Sequence, residues 1–308
     1  MKKKIVVIGS SNTDMIVKAP RIPRPGETVV GGEFSMAAGG KGANQAVAAA
    51  RAGGDVTFVA RLGDDLFGRQ ALAGFRRDRI KTKFVFKDKK TRSGVALICV
   101  GETGENSIAV ALGANAKLSP ADVKAARKAI SSADILILQL EVPLETVAAA
   151  IRIAAWKKVR VILNPAPARA LDDNLLRLVS ILTPNETETE LLTGITIQDD
   201  SSIREASEML LSKGIGSVII TLGARGVYIA TREVHEFVPA FKVKAIDTTA
   251  GGDVFNGTLA VALAERKKLV EAVRFANAAA AISVTRMGAQ ASVPWRKEIR
   301  AFLHRPHY

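Results

Sequence analysis

The run Asp247-Thr248-Thr249-Ala250-Gly251-Gly252-Asp253-Val254-Phe255-Asn256-Gly257 places a carboxylate where chemistry on an anion is feasible. Small residues lead straight into a helical pattern whose first turn contains Asp253. The N–H groups of a helix start have no intrahelical partners, and the peptide dipoles converge there, so the position favours an anion. A carboxylate beside such a site suits phosphoryl transfer. It takes the proton of an attacking hydroxyl while the N–H groups stabilise charge on the phosphoryl oxygens. The plainer reading of Asp253 is a stabilising first-turn acid on an ordinary helix. Two adjacent glycines count against that, because each weakens a helix without a packing gain.

Three weaker constellations accompany it. Gly39-Gly40-Lys41-Gly42-Ala43-Asn44-Gln45 runs into an Ala-rich helix. Its glycines let backbone approach a ligand, and Asn44 could hydrogen-bond a polyhydroxy molecule. A turn that only permits tight strand–helix packing fits this segment equally well. In Thr183-Pro184-Asn185-Glu186-Thr187-Glu188, Asn185 and Glu188 are three apart and share one helical face. They could hold waters around Mg²⁺ beside a triphosphate, or form a capping box. Asn12 and Asp14 follow the first strand pattern, and Glu141 follows another at 135–140. Polar groups at the carboxyl ends of strands are potential partners for sugar hydroxyls, although each taken alone is more often a loop residue or a cap.

Several other chemistries are excluded by pattern. There is no Gly-x-x-x-x-Gly-Lys-Ser/Thr loop, since the only Gly-Lys pair, Gly40-Lys41, is followed by Gly42. The first strand ends in Gly9-Ser10-Ser11-Asn12-Thr13-Asp14, without a dinucleotide fingerprint. No His-Glu-x-x-His or Gly-x-Ser-x-Gly motif occurs. The single Cys99 excludes an internal disulfide and any multi-cysteine zinc site.

The elements that must position these residues alternate along the chain. Strand patterns at 4–8, 56–60, 135–140, 161–164, 181–183 and 217–222 are separated by helix patterns at 42–52, 65–78, 120–131, 144–156 and 202–213. Such alternation builds a mostly parallel sheet covered by helices. Ser119-Pro120 with Asp122 marks one helix start. The last third differs, with a strand pair at 227–230 and 234–238 followed by Ala-rich helices at about 252–265 and 269–286. Two stretches fall outside the alternation. Residues 15–30 carry three prolines, and 94–100 and 106–112 flank the hairpin signal Gly101-Glu102-Thr103-Gly104-Glu105. Segments at about 15–38 and 90–112 are therefore expected to form a small separate sheet, either a lid or an edge extension of the main one. Without repeats or a long linker, residues 1–308 read as a single domain.

Composition narrows the setting. No apolar run reaches the ~18–20 residues that cross a bilayer, and residues 5–8 after Met1-Lys2-Lys3-Lys4 read as a first strand, not a signal peptide. A cytoplasmic enzyme without membrane attachment is the simplest expectation. The formal charge of +14 raises the prospect of nucleic-acid binding. Its basic residues are scattered over 81–90, 124–128, 157–160 and 296–305, and aromatic residues are only 5%, too few for a base-stacking platform. Nucleic acid is therefore not the expected partner.

Taken in order, Gly39-Gly40-Lys41-Gly42-Ala43-Asn44-Gln45-Ala46, Asn164-Pro165-Ala166-Pro167-Ala168, Thr183-Pro184-Asn185-Glu186, Thr221-Leu222-Gly223 and the run from Asp247 to Gly257 resemble the PfkB-type family of carbohydrate kinases. The resemblance extends from the first strand to Pro294. It implies an α/β fold, the ribokinase-like three-layer α/β/α sandwich, with a mostly parallel central sheet and a small β-sheet lid. It also implies ATP-dependent phosphorylation of D-ribose at its 5-hydroxyl. Related members acting on deoxyribose, fructose or a nucleoside are the alternative, and a nucleic-acid or regulatory binding protein that kept the fold is a more distant one. By motif, Asn12, Asp14, Gly40, Lys41, Asn44 and Glu141 would hold the sugar, with Asp253 as base and Ala250, Gly251 and Gly252 as anion hole. ATP would meet Asn185, Thr221, Gly223, Gly252 and Asn277, and Glu188 would join the Mg²⁺ network. A monovalent cation, usually K⁺, would be held by Asp247, Thr249 and Ser292 and by the carbonyls of Ser283, Arg286 and Gly288. Paired lids would make a homodimer. One departure stands out: many members read Ala-Ala-Gly-Asp or Gly-Ala-Gly-Asp where this chain has Ala250-Gly251-Gly252-Asp253.

Overall fold

Residues on β1 (Lys4–Ile8) alternate between two hydrophobic cores, Ile5 and Val7 in one and Val6 and Ile8 in the other. A strand buried on both faces belongs at the centre of a sheet with helices on either side. The computed structural model, which describes residues 3–304, has that architecture. The start of the chain before Lys3 and the end of the basic run at 296–305 lie outside the described residues.

The strands are β1, β2 (Asn12–Lys18), β3 (Glu33–Gly39), β4 (Asp55–Gly63), β5 (Lys81–Asp88), β6 (Gly94–Val100), β7 (Asn106–Ala111), β8 (Ile135–Leu138), β9 (Arg160–Leu163), β10 (Ile181–Leu182), β11 (Ser217–Thr221), β12 (Val227–Ala230) and β13 (His235–Val238). Nine form the main sheet in the order β13-β12-β11-β10-β9-β8-β1-β4-β5. It is parallel from β5 to β11, and β12 and β13 run antiparallel at one edge. One core packs the helices Lys41–Arg51, Gly251–Ala264 and Leu269–Val284 on the sheet, and the other packs Leu144–Trp156 and Asp200–Ser212. The helix Gly251–Ala264 is buried from Asp253 to its end, as expected of a helix apolar on all sides.

The second sheet has the order β3-β2-β6-β7. Its outer pairs are antiparallel, while β2 and β6 are parallel. Asn12 and Asp14, expected in a loop, are the first and third residues of β2. Cross-strand neighbours share a face, so Asp14 lies on the side of Ala96 and Val110, and Met15 and Val17 lie on the side of Met36, Phe34 and Leu97. Phe34, Met36, Leu97, Ile108 and Val110 remain exposed.

Other differences from the sequence reading have local causes. β5 alternates Lys81, Lys83 and Lys87 with Phe84 and Phe86. Its lysines hide a strand signal, and charge is what protects an edge strand from pairing further. The helix expected over 120–131 breaks at Ala126 into Pro120–Ala125 and Arg127–Ser131.

Candidate active site

Strand order reverses between β1 and β8. The chain builds outward from β1 through β4 and β5, then returns to place β8 on the other side of β1. Loops leaving the two strands diverge there and open a crevice at their carboxyl ends. Ser10, after β1, donates its hydroxyl hydrogen bond to the Glu141 carboxylate, after β8. The same Glu141 oxygen accepts the backbone N–H of Lys41 at 3.0 Å.

Glycines bring the helix Lys41–Arg51 into this crevice. Gly40 has φ 89°, a left-handed value that other residues rarely adopt. A Cβ on Gly42 would lie 2.5 Å from the Ser10 nitrogen. A Cβ on Gly257 would lie 2.4 Å from the Gln45 carbonyl oxygen, so only glycine lets this helix meet Gly251–Ala264. Tight packing and site building are thus one function here, because that approach carries Asn44 and Gln45 onto Asp253. Asn44 Nδ2 donates to Asp253 Oδ2 at 3.0 Å, and Gln45 Nε2 donates to Oδ1 at 2.9 Å.

Asp253 is 6% exposed. Burial pushes its carboxyl above the usual range, against the pull of Lys41, Asn44 and Gln45. Burial would lower Lys41, but the carboxylates of Asp253, Glu141 and Glu188 outweigh it and hold the ammonium above its ordinary value. Burial, with Glu141 and Asp253 nearby, pushes Asp14 up to about 6. Its carboxylate lies against Gly39, where a Cβ would sit 2.1 Å from Oδ2. Asn12 accepts from Asn115 Nδ2 at 2.7 Å. Asn44 Oδ1 is buried without a hydrogen-bond partner among the described residues, which marks an acceptor awaiting a donor.

Over the first turn of the helix Gly251–Ala264, a Cβ on Gly252 would meet nothing within 4 Å, so space is open beside Asp253. Ala250 precedes it with φ 60°. A Cβ on Gly251 would come within 3.2 Å of Val284 Cγ1. The alanine that many members of the family carry here would therefore require Val284 to give way slightly.

Across the crevice, Asn185 and Glu188 form a complete capping box on the helix Glu186–Thr193, with bonds of 2.7 and 2.9 Å. Burial raises the Glu188 carboxyl, while the Asn185 N–H and Lys41 pull it back. Asn185 also bridges to Thr221. Gly223, at φ 55°, has open space where a side chain would be. Asn277 is buried and donates to the Val238 and Pro239 carbonyls at 3.5 and 3.4 Å.

The loop before the helix Gly251–Ala264 is clamped by Asp247, which accepts the N–H groups of Thr249 and Gly288 at 2.8 Å each. Burial alone would raise its carboxyl, but these bonds outweigh burial and hold it low. The Asp247 N–H in turn donates to the Val284 carbonyl at 3.1 Å. Ser283 and Ser292 are buried beside these segments, and the Arg286 guanidinium turns away to pair with Glu298 at 2.5 Å. The hard carboxylate oxygens of Asp247 are of the kind that suits an alkali cation; here each accepts an N–H group, and the Ser283 and Ser292 hydroxyls donate to the Ala280 and Ala289 carbonyls.

Sequence reasoning overlooked Ser10, Gln45, Gln139 and Asn256, and gave Asn164 no role. Gln45 Nε2 also donates to Asn164 Oδ1 at 3.1 Å, and Gln139 Nε2 donates to Gln45 Oε1 at 2.5 Å. Neighbours on a helix point about 100° apart, so nothing in the spacing of Asn44 and Gln45 suggests that both reach one carboxylate.

Comparison with known proteins covers nearly the whole chain. The ribokinase of Haemophilus influenzae is 46% identical over 303 residues, covering 98% of this chain and 99% of that one. The deoxyribokinase of Salmonella typhi is 39% identical and covers 97% and 98%. The structure of Arabidopsis thaliana ribokinase complexed with ribose and ATP superposes with a TM-score of 0.92 at 31% identity, covering 99% of this chain and all of that one. The pfkB family carbohydrate kinase model matches residues 2–296. A buried carboxylate at the start of a helix, in a crevice at the strand reversal, is thus met by a family match across nearly the whole chain, and the protein belongs to the pfkB family of carbohydrate kinases.

Proposed function

We propose that this kinase transfers the γ-phosphoryl group of ATP to the 5-hydroxyl of D-ribose, with Asp253 as general base. The observation that carries the reading is Asp253 itself: a buried carboxylate in a helix first turn, beside open space at Gly252 and held by Asn44 and Gln45. Asn12, Asp14, Gly40, Lys41, Asn44 and Glu141 surround the sugar in this reading. The unpartnered Asn44 oxygen and the Asp14 carboxylate accept sugar hydroxyls. Apolar Ala96 and Val110, on the face of the small sheet shared with Asp14, cover the ring as a lid. Backbone N–H groups of Ala250 and Gly252 receive the phosphoryl oxygens, joined by that of Gly251 once it gives up its 3.2 Å bond to the Thr248 carbonyl. The nucleotide lies along Asn185, Thr221, Gly223 and the region of Asn277.

Mg²⁺ enters with ATP and neutralises charge on its phosphates. The half-buried Glu188, with Asn185, is on that side of the crevice in this reading and fits the outer shell of such an ion. K⁺ is the natural occupant of the oxygen set at Asp247, Thr249, Ser283, Arg286, Gly288 and Ser292. Asp247→Ala should release the Thr249 and Gly288 N–H groups, lower turnover and abolish its response to KCl. A KCl titration of initial rates checks this; a variant still activated by K⁺ to the native extent would remove Asp247 from the site.

The exposed Phe34, Met36 and Leu97 support a homodimer through the small sheet. Phe34→Glu with Leu97→Glu should convert a dimer into a monomer in sedimentation velocity, and an unchanged sedimentation coefficient would count against this interface. The free Cys99 and the use of ATP favour a cytoplasmic setting.

The direct test is a coupled assay for ADP release over ribose, deoxyribose, fructose and a nucleoside, with and without K⁺. Ribose should give the highest kcat/KM. Preference for deoxyribose is the second reading, motivated by the 39% identity to the Salmonella enzyme, and a clear advantage for that sugar would replace ribose.

A further inference from the structure

We propose that Gln45 is a positioning residue for Asp253, and that Thr183, acting through Asn164, decides which way the Gln45 amide points. The inference rests on the reading of Asp253 as base.

The polarity of this network follows from one group that can only accept. The Thr183 carbonyl accepts from Asn164 Nδ2 at 3.0 Å. That leaves Asn164 Oδ1 toward Gln45, whose Nε2 donates to it at 3.1 Å. The second N–H of the same Gln45 nitrogen then donates to Asp253 Oδ1 at 2.9 Å. Gln45 Oε1 is left as an acceptor, and Gln139 Nε2 donates to it at 2.5 Å. A backbone carbonyl thus resolves an amide orientation that geometry alone leaves two-fold. Gln45, Gln139, Asn164 and Thr183 are all buried. Gln139 Oε1 has no partner among the described residues, and reversing the Asn164 or Gln45 amide would set like groups face to face in a dry site.

The consequence for Asp253 is that its two oxygens are unequal. Both oxygens face a donor, but only the Gln45 amide on Oδ1 is held by a network. The Asn44 amide on Oδ2 has an oxygen without a partner among the described residues, and Oδ2 is therefore the oxygen assigned to take the proton. In the transfer, the O–H bond of the sugar breaks as Oδ2–H forms. The sugar oxygen bonds to the γ-phosphorus as its bond to the departing ADP oxygen breaks. Gln45 also favours the ionised carboxylate against burial and against Glu141, Asp14 and Glu188 around the crevice; Lys41 is the cation on the same side. A second branch leaves Thr183 through its hydroxyl, which donates to Asn256 Oδ1 at 2.6 Å, and Asn256 Nδ2 donates to the Gly252 carbonyl at 2.9 Å. Thr183 therefore orients both the base and the glycine turn beside it.

The test is the pH profile of kcat for Gln45→Met, which keeps length and loses the donor, and for Gln45→Glu, which places an acid against Asp253. Both should move the acid limb upward by about one pH unit or more. At pH 7 kcat should fall roughly tenfold or more, while KM for ATP stays within about twofold as for a residue acting on the chemical step. Asn164→Ser, which does not touch Asp253, should shift the limb in the same direction by less. It decides the matter if the Gln45 variants fail to fold. Acid limbs that coincide with the native enzyme would overturn the proposal. Asp253→Asn separates the two levels: if it is inactive and the Gln45 variants titrate normally, only the positioning role fails, whereas an active Asp253→Asn removes the base itself.

Discussion

Asp253→Asn is expected to lower kcat by about 10²–10⁴-fold, the range general bases contribute, while leaving ATP binding close to native. Asparagine keeps the shape of the side chain but cannot take a proton from an attacking hydroxyl. Its amide would also turn a donor toward Gln45 Nε2 or Asn44 Nδ2, both of which donate to Asp253. The nucleotide-side groups Asn185 and Thr221 are joined to each other, not to Asp253. Calorimetric titration with Mg-ATP should therefore give an affinity within a few-fold of native. Turnover within tenfold of native would sink the role assigned to this carboxylate. Removing a buried charge relieves desolvation and offsets the cost of the facing donors, so the inactive variant should remain folded with a cooperative thermal transition.

Asp14→Asn should separate stability from sugar binding. In the ligand-free protein Asp14 titrates at about 6, above its ordinary 3.8. A carboxyl whose pKa rises on folding binds its proton more tightly in the native state. Native stability therefore falls as pH rises through the interval from about 4 to about 6, and the full penalty is present above it. The neutral asparagine carries no such penalty. Denaturation at pH 7–8 should show the variant more stable by about 1–3 kcal/mol, with the difference vanishing below about pH 4. A charge-assisted hydrogen bond to a sugar hydroxyl contributes about 1.5–3 kcal/mol, so KM for the sugar should rise about 10- to 100-fold, with KM for ATP little changed. Equal stability of the two proteins at pH 8 would mean that neither burial nor the neighbouring Glu141 and Asp253 destabilise the Asp14 carboxylate. An unchanged sugar KM would remove it from the sugar site.

The same carboxylates show where sequence reading succeeds and where it stops. Short apolar runs such as β1, alternating along the chain with helical periods, specified a helix-covered sheet, because a strand buried on both faces is apolar at successive positions while a helix repeats every 3.6 residues. Short motifs such as Asp247 to Gly257 and Asn185 to Glu188 were legible for the same reason: loop geometry and helix starts impose residue types locally. The capping box at Asn185 and Glu188 formed as its spacing required. β2 was obscured because its first three residues, Asn12, Thr13 and Asp14, are polar and it pairs with partners far along the chain in a separate sheet. β5 was obscured by edge lysines.

What only the tertiary structure decided is which groups share a carboxylate. Gln45 and Asp253 are 208 positions apart, and they meet because Gly257 and the helix Lys41–Arg51 allow two helix backbones to touch. No local period records that approach. Nor does spacing reveal that a Thr183 carbonyl orients Asn164 and Gln45 in turn, since each link depends on a side chain arriving from a different strand or helix. Asp253 was visible in the sequence as an acid beside an anion site. Its burial, its raised pKa and the inequality of its two oxygens come from packing, because a charge acquires those properties only from the groups that replace its water.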